Sequence, residues 1–127
     1  MRIAITGEQG FIGRNLPKSI KKYGHEFVSL DAVVHTYTCR LKTTKKGEPC
    51  VHRTSQDEWE LLLSNEKIDI LIHNAAVVGT DVVALDSKEA TLTNVEGTYN
   101  ICRAARALNI PVCYIGTTVI YDTKEYQ

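Results

Sequence analysis

TGEQGFIG, residues 6–13, places three glycines at three-residue intervals directly after the short apolar run RIAIT. That run, residues 2–6, is rich in β-branched side chains and reads as a strand ended by Gly7. Phe11, Ile12, Leu16, Ile20 and Tyr23 follow at helical spacing, so residues 11–23 read as a helix, with Gly24 as its stop. Pro17 falls beyond the first turn of such a helix, where it removes a backbone hydrogen bond, and a kink is expected there. A strand, a glycine turn and a helix start in this order suit an anion, because the free N–H groups and the helix dipole both favour negative charge.

The chain on either side of the turn repeats the same alternation. HEFVSLD, residues 25–31, is a second strand that ends on Asp31. Residues 32–54 form a basic excursion, with Arg40, Lys42, Lys45, Lys46 and Arg53 against the single acid Glu48, returning through a third strand near residues 49–52. Ser55 and Glu58 in SQDE form a capping box that opens a helix with Trp59, Leu62 and Leu63 on its apolar face. IDILIH, residues 68–73, is nearly continuously apolar, as a central parallel strand covered on both faces must be. After the loop NAAVVGTD, a long helix is expected from Ser87 to about Asn109, with Leu92, Val95, Tyr99, Cys102, Ala105 and Leu108 along its buried face. Residues 112–115 give the last strand. Strands alternating with helices imply βαβ units. The expected fold is α/β: a single Rossmann-like, doubly wound parallel sheet over residues 1–127 with strand order 3-2-1-4-5, truncated before a sixth strand.

In that frame each glycine has a role. Gly7 makes the sharp turn off the strand, Gly10 admits a pyrophosphate to the helix start, and Gly13 lets the helix lie close to the sheet. Asp31 stands 24 residues after Gly7, about where an acid bonds the ribose hydroxyls of a dinucleotide. A carboxylate there repels a 2′-phosphate, so the expected cofactor is NAD rather than NADP.

Composition narrows the class of partner. Fifteen basic residues balance fifteen acidic ones in 127, which gives no pull toward nucleic acid or a membrane surface. No apolar stretch approaches the roughly 18 residues of a membrane span, and the N-terminus shows no signal peptide. The cysteines, Cys39, Cys50, Cys102 and Cys113, lack a C-x-x-C spacing. Cys102 and Cys113 read as small buried apolar groups, and a reducing cytoplasm is expected. His35, Cys39, Cys50 and His52 share the excursion, but their spacing is not that of a structural zinc site, and no metal is expected.

Four motifs together carry a resemblance. TGEQGFIG resembles the TGxxGFIG turn of the extended short-chain dehydrogenase/reductase family, the NAD-dependent epimerase/dehydratases of nucleotide sugars. HNAAVVG, residues 73–79, is similar to the family's HxAA segment, NVEGTYNICRAA, residues 94–105, to its N-x-x-G-T-x-N helix, and YIGTTVIYD, residues 114–122, to its segment after the fifth strand. The resemblance implies that Gly7, Gln9, Gly10, Phe11, Ile12 and Gly13 surround the pyrophosphate and that Asp31 holds the adenosine ribose. It also implies that Asn74, Ala75 and Ala76 line the path to the nicotinamide ribose, that Asn94 lies behind the nicotinamide, and that Thr117 is the catalytic hydroxyl on the sugar. Two departures stand out: the acid the family places after its third strand falls near His52, and Asp122 replaces the usual glycine after V-Y.

The family's proton-transfer pair, Tyr-x-x-x-Lys, is not found in the ten residues after Thr117. Tyr121 has Glu125 four residues on, and Lys124 follows it by three. The expectation is therefore the cofactor-binding portion of a nucleotide-sugar epimerase, dehydratase or reductase, inactive as it stands, whose complete form moves hydride between NAD and a sugar carbon. The alternative left open is a complete, non-catalytic NAD-binding or protein-interaction module, associating with a partner or a second copy through the strand edge or the excursion.

Overall fold

β1 (Arg2–Thr6) alternates its side chains between two layers, and the whole arrangement follows from that. Ile3 and Ile5 face one side, where they pack with Ile20, Leu16, Phe27, Ile70 and Ile72. Ala4 faces the other, in a larger core with Val28, Leu30, Trp59, Leu62, Leu63, Ile68, Leu71, Ile101, Ala104 and Ala105. The structure, a computed structural model, describes residues 1–30 and 54–116. The expected excursion, the strand near 49–52, the ligand-type residues His35, Cys39, Cys50 and His52, and the site residues Asp31 and Thr117 lie outside the described residues. So do Tyr121, Lys124 and Glu125.

β2 (Glu26–Ser29), β3 (Ile70–His73) and β4 (Val112–Tyr114) complete a four-stranded sheet in the order β2-β1-β3-β4. Every pairing is parallel, with Ile5 opposite Ser29, Thr6 opposite His73 and His73 opposite Tyr114. This is the 2-1-4-5 portion of the expected order. Among the described residues, α1 (Leu16–Lys22) covers the Ile3/Ile5 face, and α2 (Gln56–Asn65) and α5 (Thr98–Ala107) cover the other. No helix among the described residues is long and apolar enough to cross a membrane.

The capping box is present at both ends. Glu58 N–H donates to Ser55 Oγ at 3.2 Å, and Ser55 N–H donates to the Glu58 carboxylate at 2.8 Å. Pro17, in contrast, does not lie in a helix interior. Residues 13–15 form a separate 3-10 turn, so α1 begins at Leu16 and Pro17 sits in its first turn, where no intrahelical acceptor awaits its nitrogen.

The long helix expected from Ser87 runs continuously to Ala107, as α4 (Ser87–Thr91), a π-helical segment (Leu92–Gly97) and α5, and a short α3 (Thr80–Leu85) precedes it. Its expected apolar face is borne out in part. Ala105 is buried and Cys102 and Leu108 pack against the core, whereas Val95 and Tyr99 are 64% and 58% exposed and Ala90, Thr93, Gly97, Ile101 and Ala104 are buried in addition. Cys102 is half-buried, and burial pushes its thiol pKa up. Cys113 is exposed on β4, contrary to the expectation of burial, since no described element covers that side of the strand.

Candidate functional site

The carboxyl ends of β1 and β3 lie side by side, and the two segments leaving them, residues 7–13 and 74–79, meet above the sheet. Gly7 opens the first with φ +70°, a left-handed conformation that suits glycine. A Cβ on Gly7 would lie 2.7 Å from Cα of Ala75 and 2.8 Å from its nitrogen, so the turn presses directly on the backbone leaving β3. A Cβ on Gly13 would lie 2.1 Å from the Gly7 carbonyl oxygen and 2.5 Å from Cα of Glu8. The sequence places Gly13 against the sheet; its closest neighbour is instead the turn itself.

Gly10 differs from both. It is exposed, its φ is not positive, and its nearest neighbour for a Cβ is the Gly7 oxygen at 3.4 Å, an ordinary contact. Neither packing nor backbone geometry requires glycine there. Gly10 N–H bonds to Gly7 O at 3.2 Å and Arg14 N–H to Gly10 O at 3.1 Å, which curls the segment into the start of a helix. Phe11 and Ile12 are 78% and 48% exposed, and among the described residues their N–H groups donate to no backbone carbonyl. The turn therefore offers N–H groups without a backbone acceptor among the described residues, at a helix start beside a position kept free of side-chain bulk, a cradle that fits a pyrophosphate.

A buried polar chain holds this arrangement in place. Thr6 Oγ1 accepts the N–H groups of Asn74 and Ala75, each at 3.2 Å, and lies 2.7 Å from His73 Nδ1. Two donors occupy the hydroxyl's lone pairs, so its proton points to Nδ1. His73 therefore carries its own proton on Nε2, which donates to Thr98 Oγ1 at 2.9 Å. The imidazole is fully buried, and desolvation lowers its pKa from 6.5 to about 4. It is neutral at physiological pH and bridges β1, β3 and α5. Asn74 adds a second tie by donating its side-chain amide to Gly7 O at 3.0 Å.

Asn94 fixes the far part of the second segment. Its Oδ1 accepts Val77 N–H at 2.7 Å and its Nδ2 donates to Val77 O at 2.9 Å. It projects from the π-helical segment, a local widening often found at functional sites. The structure thus brings Gly7, Gln9, Gly10, Phe11, Ile12, Gly13, Asn74, Ala75 and Ala76 into two adjoining segments at one end of the sheet, with Asn94 bonded to the second from the π-helical segment. Asn74 and Asn94 commit their side chains to the protein's own backbone, which makes them positioning groups for the segments they hold.

Thr6, His73 and Thr98 were not singled out from the sequence. The available signal was a histidine closing an otherwise apolar strand, level with a threonine closing its neighbour. Nothing local reveals that Thr98 meets it from 25 residues away.

These features sit where open α/β sheets bind ligands, outside the carboxyl ends of the strands at the point where strand order reverses. The protein is similar to known ones in the same terms. A dTDP-glucose 4,6-dehydratase of Mycobacterium tuberculosis is 32% identical over 131 residues, covering 98% of this chain and 39% of that protein. The fold is shared with a UDP-glucose 4-epimerase from Thermus thermophilus in complex with NAD, with TM-score 0.63 and 22% identity over 87% of this chain and 35% of that one. It is also shared with a dTDP-4-dehydrorhamnose reductase from Bacillus anthracis in complex with NADP, with TM-score 0.63 and 18% identity over 87% and 34%. The chain spans about two-fifths of the length of the curated relatives it matches. The model of the NAD dependent epimerase/dehydratase family matches residues 3–127, and the chain belongs to that family.

Proposed function

We propose that this chain is the cofactor-binding portion of an enzyme that epimerises, dehydrates or reduces a nucleotide sugar, with NAD as its cofactor. The observation that carries the reading is Gly10. This glycine serves neither packing nor backbone geometry, it stands beside N–H groups that have no backbone acceptor among the described residues, and the approach of a ligand accounts for it. A bound nicotinamide would supply hydride exchange with a sugar carbon. The chain's own residues bind and orient. The turn 7–13 takes the pyrophosphate, Asp31 takes the ribose hydroxyls, and residues 74–77 form the wall beyond them. Thr117 contributes a hydroxyl toward the sugar.

The test uses Gly10→Val, because a Cβ there meets no hard contact. Isothermal titration with NAD should show saturable binding to the wild-type chain and at least tenfold weaker binding to Gly10→Val, with both proteins melting at nearly the same temperature. Equal NAD affinity in the two proteins, or no binding by the wild type at millimolar NAD, contradicts the proposal.

A further inference from the structure

Glu8 and Gln9 are the two residues between the first and second glycines of the turn, and they behave differently. Gln9 is exposed, whereas Glu8 is half-buried and its Oε2 is shielded from solvent. The Glu8 carboxylate accepts the hydroxyl of Ser29, the last residue of β2. The carboxyl end of the second strand is where a dinucleotide's adenosine ribose lies in this type of fold. The glycine turn thus sends a side chain sideways across the sheet end, and a hydrogen bond from β2 holds it there.

We infer that Glu8 is a second determinant of cofactor choice: a fixed carboxylate at the ribose position that excludes a 2′-phosphate and selects NAD over NADP. The inference rests on the proposed dinucleotide site. Its physical basis is charge and fixity. A 2′-phosphate brings close to two negative charges up to the Glu8 carboxylate in a partly buried region, where screening by water and salt is weak. The Ser29 bond restricts the carboxylate's rotation, so it cannot swing away to admit the phosphate. The neutral 2′-hydroxyl of NAD meets no such repulsion.

Two substitutions separate charge from shape. Glu8→Gln keeps the size and can still bond Ser29 but removes the charge. Glu8→Asp keeps the charge. The full chain is titrated with NAD and with NADP by calorimetry, alongside thermal melts. The wild type should prefer NAD by at least tenfold. Glu8→Gln should bind NADP about tenfold more tightly than the wild type while its NAD affinity changes by less than about threefold, and Glu8→Asp should retain the wild-type preference. If Glu8→Gln binds NAD normally and NADP no better than the wild type does, Glu8 is not a selector, although the site stands. If the wild type binds neither dinucleotide, the proposed site fails and the selector with it.

Discussion

His73 shows how much a single buried residue contributes. Thr6 gives it a proton at one nitrogen, Thr98 takes one from the other, and no water reaches it. Its charged form is excluded by desolvation, which sets the sign of its pH effect. Between pH 6.5 and about 4 the unfolded chain binds a proton that the folded chain refuses, so stability falls as pH falls through that window. Below about pH 4 both states are protonated and this contribution levels off. The slope is about 1.4 kcal/mol per pH unit, or about 3 kcal/mol across the window. Urea unfolding of the wild type and His73→Gln at several pH values should show this extra slope in the wild type alone. Identical slopes would mean that the imidazole titrates normally.

Among the elements, two side-chain clamps have separable effects. Ser55 and Glu58 start α2, and Ser55→Ala should cost about 1 kcal/mol of stability without reaching the site. Asn94 grips both polar groups of Val77 from the π-helical segment, and Asn94→Ala should cost about 1–2 kcal/mol. Hydrogen exchange distinguishes them: the Val77 amide should exchange faster in Asn94→Ala and unchanged in Ser55→Ala. Equal protection of Val77 in both variants would show that the second segment holds its shape without Asn94. The same elements mark what the sequence reveals. β1 and the capping box are written in local patterns, alternation bounded by glycine and a serine three residues before a glutamate, and both stand as read. The helix from Ser87 is less legible: Ala105 is buried as read, but Gly97, Ile101 and Ala104 turn inward where the pattern placed Val95 and Tyr99, because the inward face is set by the elements packed against it and not by the helix's own sequence. Pro17 misleads for a related reason: a 3-10 turn shifts the helix start to Leu16, and a proline that reads as interior becomes one at the entrance.

For the whole molecule, parallel order, glycine turn and switch point are legible because alternating strand and helix signals leave few topologies. The four described strands, β2-β1-β3-β4, match the corresponding part of that order. What sequence does not reveal is the set of long-range ties that make the site rigid: Thr6 to His73, Asn74 to Gly7, Glu8 to Ser29, each across 21 residues or more. All of them converge on the carboxyl end of the sheet around β1, and the account stands on a dinucleotide occupying the space above it. The most direct measurement is an NMR titration of the isotope-labelled chain with NAD, following backbone amides. The account predicts saturable shifts concentrated at residues 7–13 and 74–77, with Phe11 and Ile12 among the largest. Shifts confined to other regions, or none at millimolar NAD, would contradict it.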